Sequence, residues 1–218
     1  MTVDTIRISR VAAPLTALGP GRRAGIWVQG CTIGCPGCAS MDTWDPSGGA
    51  SRSVADLAGQ ILELAAEHDL TGLSVTGGEP FQQADAVVAL IDRVRDGWSD
   101  TDVLIFTGYA SAAARRISRE LWERTDALVS GPYRRDLPSA HPLLGSGNQV
   151  LERITSRGVE RFGLAPGPTR MQVSVAEGAL HLVGMPAPGD LDVLRERLAE
   201  RGIRIDGVSW DDESAETR

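Results

Sequence analysis

Apolar residues alternate with polar ones around Ile6 and Ile8, which predicts a strand over residues 3–11. Residues 24–30 (Ala-Gly-Ile-Trp-Val-Gln-Gly) predict a short second strand running straight into Cys31. From there to about residue 52 the chain is rich in Gly, Pro and Ser, and a loop is expected. The period then changes. Val54, Leu57, Ile61, Leu64 and Ala65 fall on one helical face, and Ser53 with Asp56 forms a capping pair that opens a helix to about His68. Leu73-Ser74-Val75 predicts a strand ending at Gly77-Gly78, and residues 84–95 a helix carrying Val87, Val88, Leu90, Ile91 and Val94. Residues 102–107 (Asp-Val-Leu-Ile-Phe-Thr) read as a nearly continuous apolar strand stopped by Gly108. A helix from Ser111 to about Glu123 and a strand over 126–130 follow.

Strands alternating with helices of this length imply right-handed βαβ units and a parallel sheet covered by helices, an α/β class. Residues 131–168 lose the pattern and carry several Pro and Gly. Residues 170–176 and 179–184 then predict a hairpin across Glu177-Gly178, residues 190–201 a helix, and residues 202–206 a last strand. The expected organisation is a main domain over residues 1–168, a small C-terminal β-β-α appendage over 169–207, and an acidic tail over 208–218.

The composition is that of an ordinary globular chain: 218 residues, 42% hydrophobic and 23% charged, enough for a sizeable core. The net charge of -7 argues against a nucleic-acid-coating surface. All 22 positive side chains are Arg, which excludes lysine chemistry such as a Schiff base or a Walker-type phosphate contact. No apolar run approaches the roughly 18 residues of a membrane span, and no basic-then-apolar start suggests a secretory signal. A soluble, cytoplasmic chain with no nucleic-acid or membrane partner is the expectation.

The cysteines change the picture. All three fall in Cys31-Thr-Ile-Gly-Cys35-Pro-Gly-Cys38, a poor disulfide framework and a good way to present thiolates to one metal centre. Buried structural thiols are one reading, but Gly34, Pro36 and Gly37 between them belong to a loop. A structural zinc site wants four protein ligands; a fourth Cys does not exist, and His68, His141 and His181 stand far away in sequence. An iron–sulfur cluster takes thiolates, and a fully protein-held [4Fe–4S] cluster takes four. Three would leave one iron open for chemistry, and the C-x3-C-x2-C spacing at a strand end fits this reading best.

Gly77-Gly78-Glu79-Pro80 follows a predicted strand. It reads as a turn, or as a place where a ligand approaches bare backbone while strand-end carbonyls and a carboxylate receive an ammonium group. Thr107-Gly108-Tyr109 and Ser130-Gly131-Pro132 close the next two strands. Ligands of parallel sheets lie beyond the carboxyl ends of the strands, so these ends point to one pocket, unless each is only a turn. Gly145 to Gln149 reads as a cover for that mouth, a partner contact or a plain surface loop. Arg22, Arg23, Arg134 and Arg135 are candidates for engaging an acidic partner, or are simply solvated.

The C-x3-C-x2-C loop resembles that of the radical S-adenosylmethionine enzymes. Gly19-Pro20-Gly21-Arg22, Ile26 to Cys31 and Cys35-Pro36-Gly37-Cys38 resemble the anaerobic ribonucleotide reductase activating proteins, and Asp42-Thr43-Trp44-Asp45 is similar to a segment of pyruvate formate-lyase activating enzymes. The resemblance continues through Thr76 to Phe81, Phe106 to Tyr109, Ser130 to Tyr133 and Gly145 to Gln149, covering roughly residues 5–155. It departs at Ser130, where relatives commonly carry Asp, and at Ala39-Ser40, where they carry His-Asn.

The resemblance implies an incomplete parallel (β/α) barrel and a [4Fe–4S] cluster on Cys31, Cys35 and Cys38. It also implies S-adenosylmethionine contacts at Gly37, Ala39, Gly77, Gly78, Glu79, Thr107, Tyr109 and Ser130. The implied reaction is reductive cleavage to a 5′-deoxyadenosyl radical, with an electron from flavodoxin or ferredoxin and hydrogen abstraction from a glycine of a partner protein. Two alternatives are a radical enzyme modifying a metabolite or peptide, and a non-catalytic iron–sulfur subunit that senses redox state.

Overall fold

The computed structural model describes residues 3–163, 171–176, 179–186 and 189–204. Strands β1 (Thr5–Leu15) and β2 (Arg23–Val28) are followed by a long loop with a 3-10 turn at Met41–Thr43, then β3 (Ala50–Ser53) and α1 (Val54–His68). Next come β4 (Gly72–Gly77), a 3-10 turn at Pro80–Gln83, α2 (Ala84–Gly97), β5 (Asp102–Thr107), α3 (Ser111–Ile117), α4 (Arg119–Arg124) and β6 (Ala127–Ser130). The chain continues with β7 (Val150–Arg153), α5 (Ser156–Phe162), the hairpin β8 (Met171–Ala176) and β9 (Ala179–Gly184), and α6 (Asp190–Ala199).

One seven-stranded sheet has the order β3-β1-β2-β4-β5-β6-β7. Its centre, β2-β4-β5-β6, is parallel; β1, β3 and β7 pair antiparallel at the flanks. The architecture is therefore mixed α/β around a four-stranded parallel core. The expected parallel sheet is present at the centre, while the pairs β1–β2, β1–β3 and β6–β7 at its flanks are antiparallel.

Every residue of β2 and β5 is buried, because parallel strands are covered on both faces. Ile26, Val28, Val103 and Ile105 face helices α1, α2 and α4 through Leu57, Ile61, Leu90, Ile91 and Leu121. Each fully buried aliphatic side chain contributes on the order of 1.5–3 kcal/mol. Trp27, Leu104, Phe106 and Val129 face the other way and meet Leu15, Leu18, Leu143, Phe162 and Val183. The hairpin thus joins the second core through Val183, and Gln172 fastens it to β1, donating to the Pro14 carbonyl at 2.9 Å and accepting from the Thr16 amide at 2.9 Å.

Several boundaries match the sequence pattern. Ser53 caps α1 by accepting from the Asp56 amide at 3.3 Å, and β5 occupies residues 102–107. The single helix expected over 111–123 is two, because Ser118 takes extended geometry and caps α4 by accepting from the Leu121 amide at 3.1 Å. β3, β7 and α5 fall in stretches expected to be loops. Ile203 and Arg204 are not in a strand; residues 205–206 of the expected last strand and the whole tail lie outside the described residues.

Arg23 is the clearest correction. Expected as a candidate for an acidic partner, it is wholly buried. Its guanidinium donates to Asp102 Oδ1 (2.6 Å), Ser74 Oγ (2.7 Å), Leu73 O (2.8 Å) and Pro20 O (3.2 Å), and lies over the Phe162 ring. A buried cation persists only when paired and fully hydrogen-bonded, and this one ties β2, β4 and β5 together at their amino ends.

Candidate iron–sulfur centre and adjoining strand ends

β2 and β4 run side by side with Trp27 opposite Thr76 and Val28 opposite Gly77. Their carboxyl ends therefore emerge together, one as the cysteine loop and the other as Gly77-Gly78-Glu79. The Gly78 amide donates to Val28 O and the Glu79 amide to Gly30 O, each at 2.8 Å. Glycine is needed here for packing: a Cβ on Gly78 would collide with the Gly30 carbonyl, and Gly77, at φ 95°, would drive one into Trp27 and Val28. The turn reading of this motif accounts for this packing.

The loop after Cys38 folds back to support the cysteines. The Gly30 amide donates to Thr43 O (2.8 Å) and the Cys31 amide to Trp44 O (3.0 Å), while Gln29 Nε2 donates to Asp45 O (2.8 Å). Arg10 pairs with Asp42 at 2.6 Å and lies over the Trp27 ring. Cys35 and Cys38 close a turn in which the Cys38 amide donates to Cys35 O at 3.1 Å. All three cysteines are free and half-buried.

Burial pushes the Cys35 thiol up, partly offset by the Tyr133 amide donating to its sulfur; nearby Cys31 and Glu79 add repulsion. Burial also raises Cys38, against donation from the Ser40 amide (3.4 Å) and the Trp44 indole. Such thiols become ligands when a metal centre supplies the positive charge that deprotonates them.

The residues fit a cluster. Among the described residues, no three His, Cys, Asp or Glu side chains gather closely enough for a single ion. A cubane binds each thiolate through a different iron and so needs wider spacing, while N–H donors aimed at sulfur tune such a centre. Gly34, at φ 62°, has open space where a Cβ would stand.

Glu79 does not project into open space. It is 1% exposed; its carboxylate accepts from Thr107 Oγ1 (2.8 Å), the Gly108 amide (2.9 Å) and the Phe81 amide (3.0 Å). Burial pushes its pKa up to about 6, against these three donors. Thr107 in turn accepts from the Tyr109 amide at 3.1 Å, and the Gly131 amide donates to Tyr109 O at 2.9 Å. Ser130, buried, stands opposite Thr107 in the β5–β6 register. Gly77, Gly78, Glu79, Thr107, Tyr109 and Ser130 therefore line three adjacent strand ends. Gly37 and Ala39 are carried on the cysteine loop.

Residues 131–149 form a strap across this end. Gln149 Nε2 donates to Gly131 O (2.9 Å), Asn148 Nδ2 to Pro132 O (2.7 Å), and the Arg134 amide to Ser146 Oγ (3.1 Å). The strap reaches the cysteines through Tyr133, and the exposed Arg135 guanidinium covers Gly37 so closely that a Cβ there would strike it. Arg134 is occupied by Asp136 at 2.7 Å.

Sequence reasoning missed the supporting polar side chains. Gln83 binds Arg7 through both backbone groups and donates to Gln29 O at 2.9 Å. Gln82 joins Thr32 to Tyr109. Two adjacent glutamines one residue after Gly-Gly-Glu-Pro were the available signal.

Residues 17–152 match the family model of the 4Fe-4S single cluster domain, more than half of the chain. The anaerobic ribonucleoside-triphosphate reductase-activating protein of Vibrio cholerae is 34% identical over 144 residues, 63% of this chain and 91% of that one. The chain belongs to this family of reductase-activating proteins. The protein of the same description from Escherichia coli K12 is 28% identical over 141 residues (62% of this chain, 91% of that one). That of phage T4 is 29% identical over 138 residues (61% and 85%). The resemblance seen in the cysteine loop and the strand-end motifs is thus borne out, and the domain match stops at β7, so α5, the hairpin and α6 lie beyond it.

Proposed function

We propose that this protein cleaves S-adenosylmethionine reductively at a [4Fe–4S] cluster on Cys31, Cys35 and Cys38. The 5′-deoxyadenosyl radical would then abstract hydrogen from a glycine of a partner, an anaerobic ribonucleotide reductase. The observation that carries this reading is the register of β2 beside β4, which sets a three-cysteine loop directly against Gly77-Gly78-Glu79. The family relationship supports a protein partner over a metabolite or a sensing role.

A cluster held by Cys31, Cys35 and Cys38 would supply the one electron that the cleavage needs. The chain's own residues do the rest by position. Gly77 and Gly78 let the end of β4 close against Trp27, Val28 and Gly30, which sets the shelf beside the cysteines. Glu79 supplies a buried negative charge behind that shelf and braces it to β5 through Thr107 and Gly108. Thr107, Tyr109 and Ser130 would continue the shelf toward the nucleoside, with Gly37 and Ala39 as the contacts from the loop. The strap stands against Cys35 through the Tyr133 backbone. In this reading the sheet is the incomplete barrel of the radical enzymes, residues 1–168 form the catalytic unit, and the electron comes from a reduced flavodoxin or ferredoxin in the cytoplasm.

Anaerobically reconstituted protein given dithionite and S-adenosylmethionine should release 5′-deoxyadenosine. With the partner reductase present, it should also generate a glycine-centred doublet in electron paramagnetic resonance. An intact cluster that yields neither product contradicts the proposal.

A further inference from the structure

We propose that Gln82 is a positioning residue, fixing the Cys31–Cys35 arc in register with the nucleotide shelf; this rests on the S-adenosylmethionine reading above. Gln82 lies in the 3-10 turn just behind Glu79. Its Oε1 accepts from the Thr32 amide at 3.2 Å, and its Nε2 donates to Thr32 Oγ1 at 2.6 Å and to Tyr109 OH at 3.0 Å. One carboxamide thus holds the residue after Cys31 by both its backbone and its hydroxyl, and with its remaining N–H reaches the side chain beyond β5.

Ile33 completes the seat. Its Cδ1 lies so near Gly108 that a Cβ there would stand only 2.6 Å away. Thr32 and Ile33 therefore lay the first arc of the cysteine loop across the ends of β4 and β5, where Glu79 and Thr107 already join the two strands. What Gln82 sets is where the loop stands relative to Tyr109. A small shift between two reacting partners is costly, because orientation supplies a large part of catalytic rate.

The test uses full-length protein reconstituted anaerobically: wild type, Gln82→Leu, Gln82→Glu and Thr32→Val. Iron and sulfide content, S-adenosylmethionine affinity and the change that the nucleotide makes in the resonance spectrum of the reduced cluster are measured for each. Gln82→Leu should keep its cluster, weaken nucleotide affinity about tenfold and blunt the spectral change, in line with the loss of its three hydrogen bonds. Gln82→Glu keeps the acceptor for the Thr32 amide, and Thr32→Val keeps that amide bond, so both should fall between wild type and Gln82→Leu. Thr32→Val added to Gln82→Leu should cost little more, since the two residues form one clamp.

A Gln82→Leu protein with wild-type affinity and spectrum overturns the proposal. Cluster loss from all three single variants also overturns it, because Gln82 would then retain the cluster instead of registering it. A wild-type spectrum indifferent to S-adenosylmethionine is a separate result: it sinks the nucleotide reading itself.

Discussion

At the scale of single residues, Glu79 carries the main electrostatic cost of the site. Its three donors are neutral, and the nearby Cys35 feels its charge as repulsion. With a folded pKa raised from 4.5 to about 6, its contribution to stability is fully present below pH 4.5 and is lost as pH rises through 6. That loss is about 2 kcal/mol, from roughly 1.4 kcal/mol per pKa unit. Urea unfolding of the cluster-free protein across this window should show the decline, and Glu79→Gln should remove that component. An iron-bound amine still presents N–H donors that favour the carboxylate, so S-adenosylmethionine affinity, followed by calorimetry, should weaken as pH falls below about 6. An affinity flat across this range would show that the buried charge plays no part in holding the amine.

At the scale of elements, the parallel centre is braced at both ends by different chemistry. The amino ends of β2, β4 and β5 are tied by Arg23, Ser74 and Asp102, and the carboxyl ends by Glu79 and Thr107. Arg23→Ala strands the buried Asp102 carboxylate and should cost about 3–5 kcal/mol, read as a lowered denaturation midpoint. Unchanged stability would mean that water replaces the guanidinium. Gly78→Ala forces β4 away from the Gly30 carbonyl and should cost about 1–3 kcal/mol even without any ligand. A stable Gly78→Ala variant that fails only in nucleotide binding would assign that glycine to the ligand alone.

The same elements show what the sequence pattern carries. β5, α1 and α2 are legible because burial on one face or two writes a period into the apolar residues. β3 is not, since Ala50 to Ser53 form an exposed to half-buried edge whose pairing to β1 is a matter of backbone. Arg23 reads as a loop charge because nothing in its neighbours announces Asp102, 79 residues away, as its partner. The cysteines and the strand-end glycines are legible as local patterns. The glutamine pair is visible too, but its role is not, because its partners Arg7, Gln29, Thr32 and Tyr109 lie in distant segments of the chain.

At the scale of the whole molecule, the cysteine loop is held from four directions: its own returning segment at Thr43–Trp44, the end of β4, Gln82, and the strap at Tyr133. The hairpin beyond the matched domain reaches this assembly as well, for Met185 Sδ stands near Gly145 at the base of the strap. No helix among the described residues is long and apolar enough to cross a membrane. The most direct test of the account is electron–nuclear double resonance on the reduced, reconstituted protein with S-adenosylmethionine carrying 15N in its amine. A hyperfine coupling from that nitrogen to the cluster is the predicted result, since three thiolates leave one iron for it. A reconstituted four-iron cluster that shows no such coupling with the nucleotide bound would contradict the account.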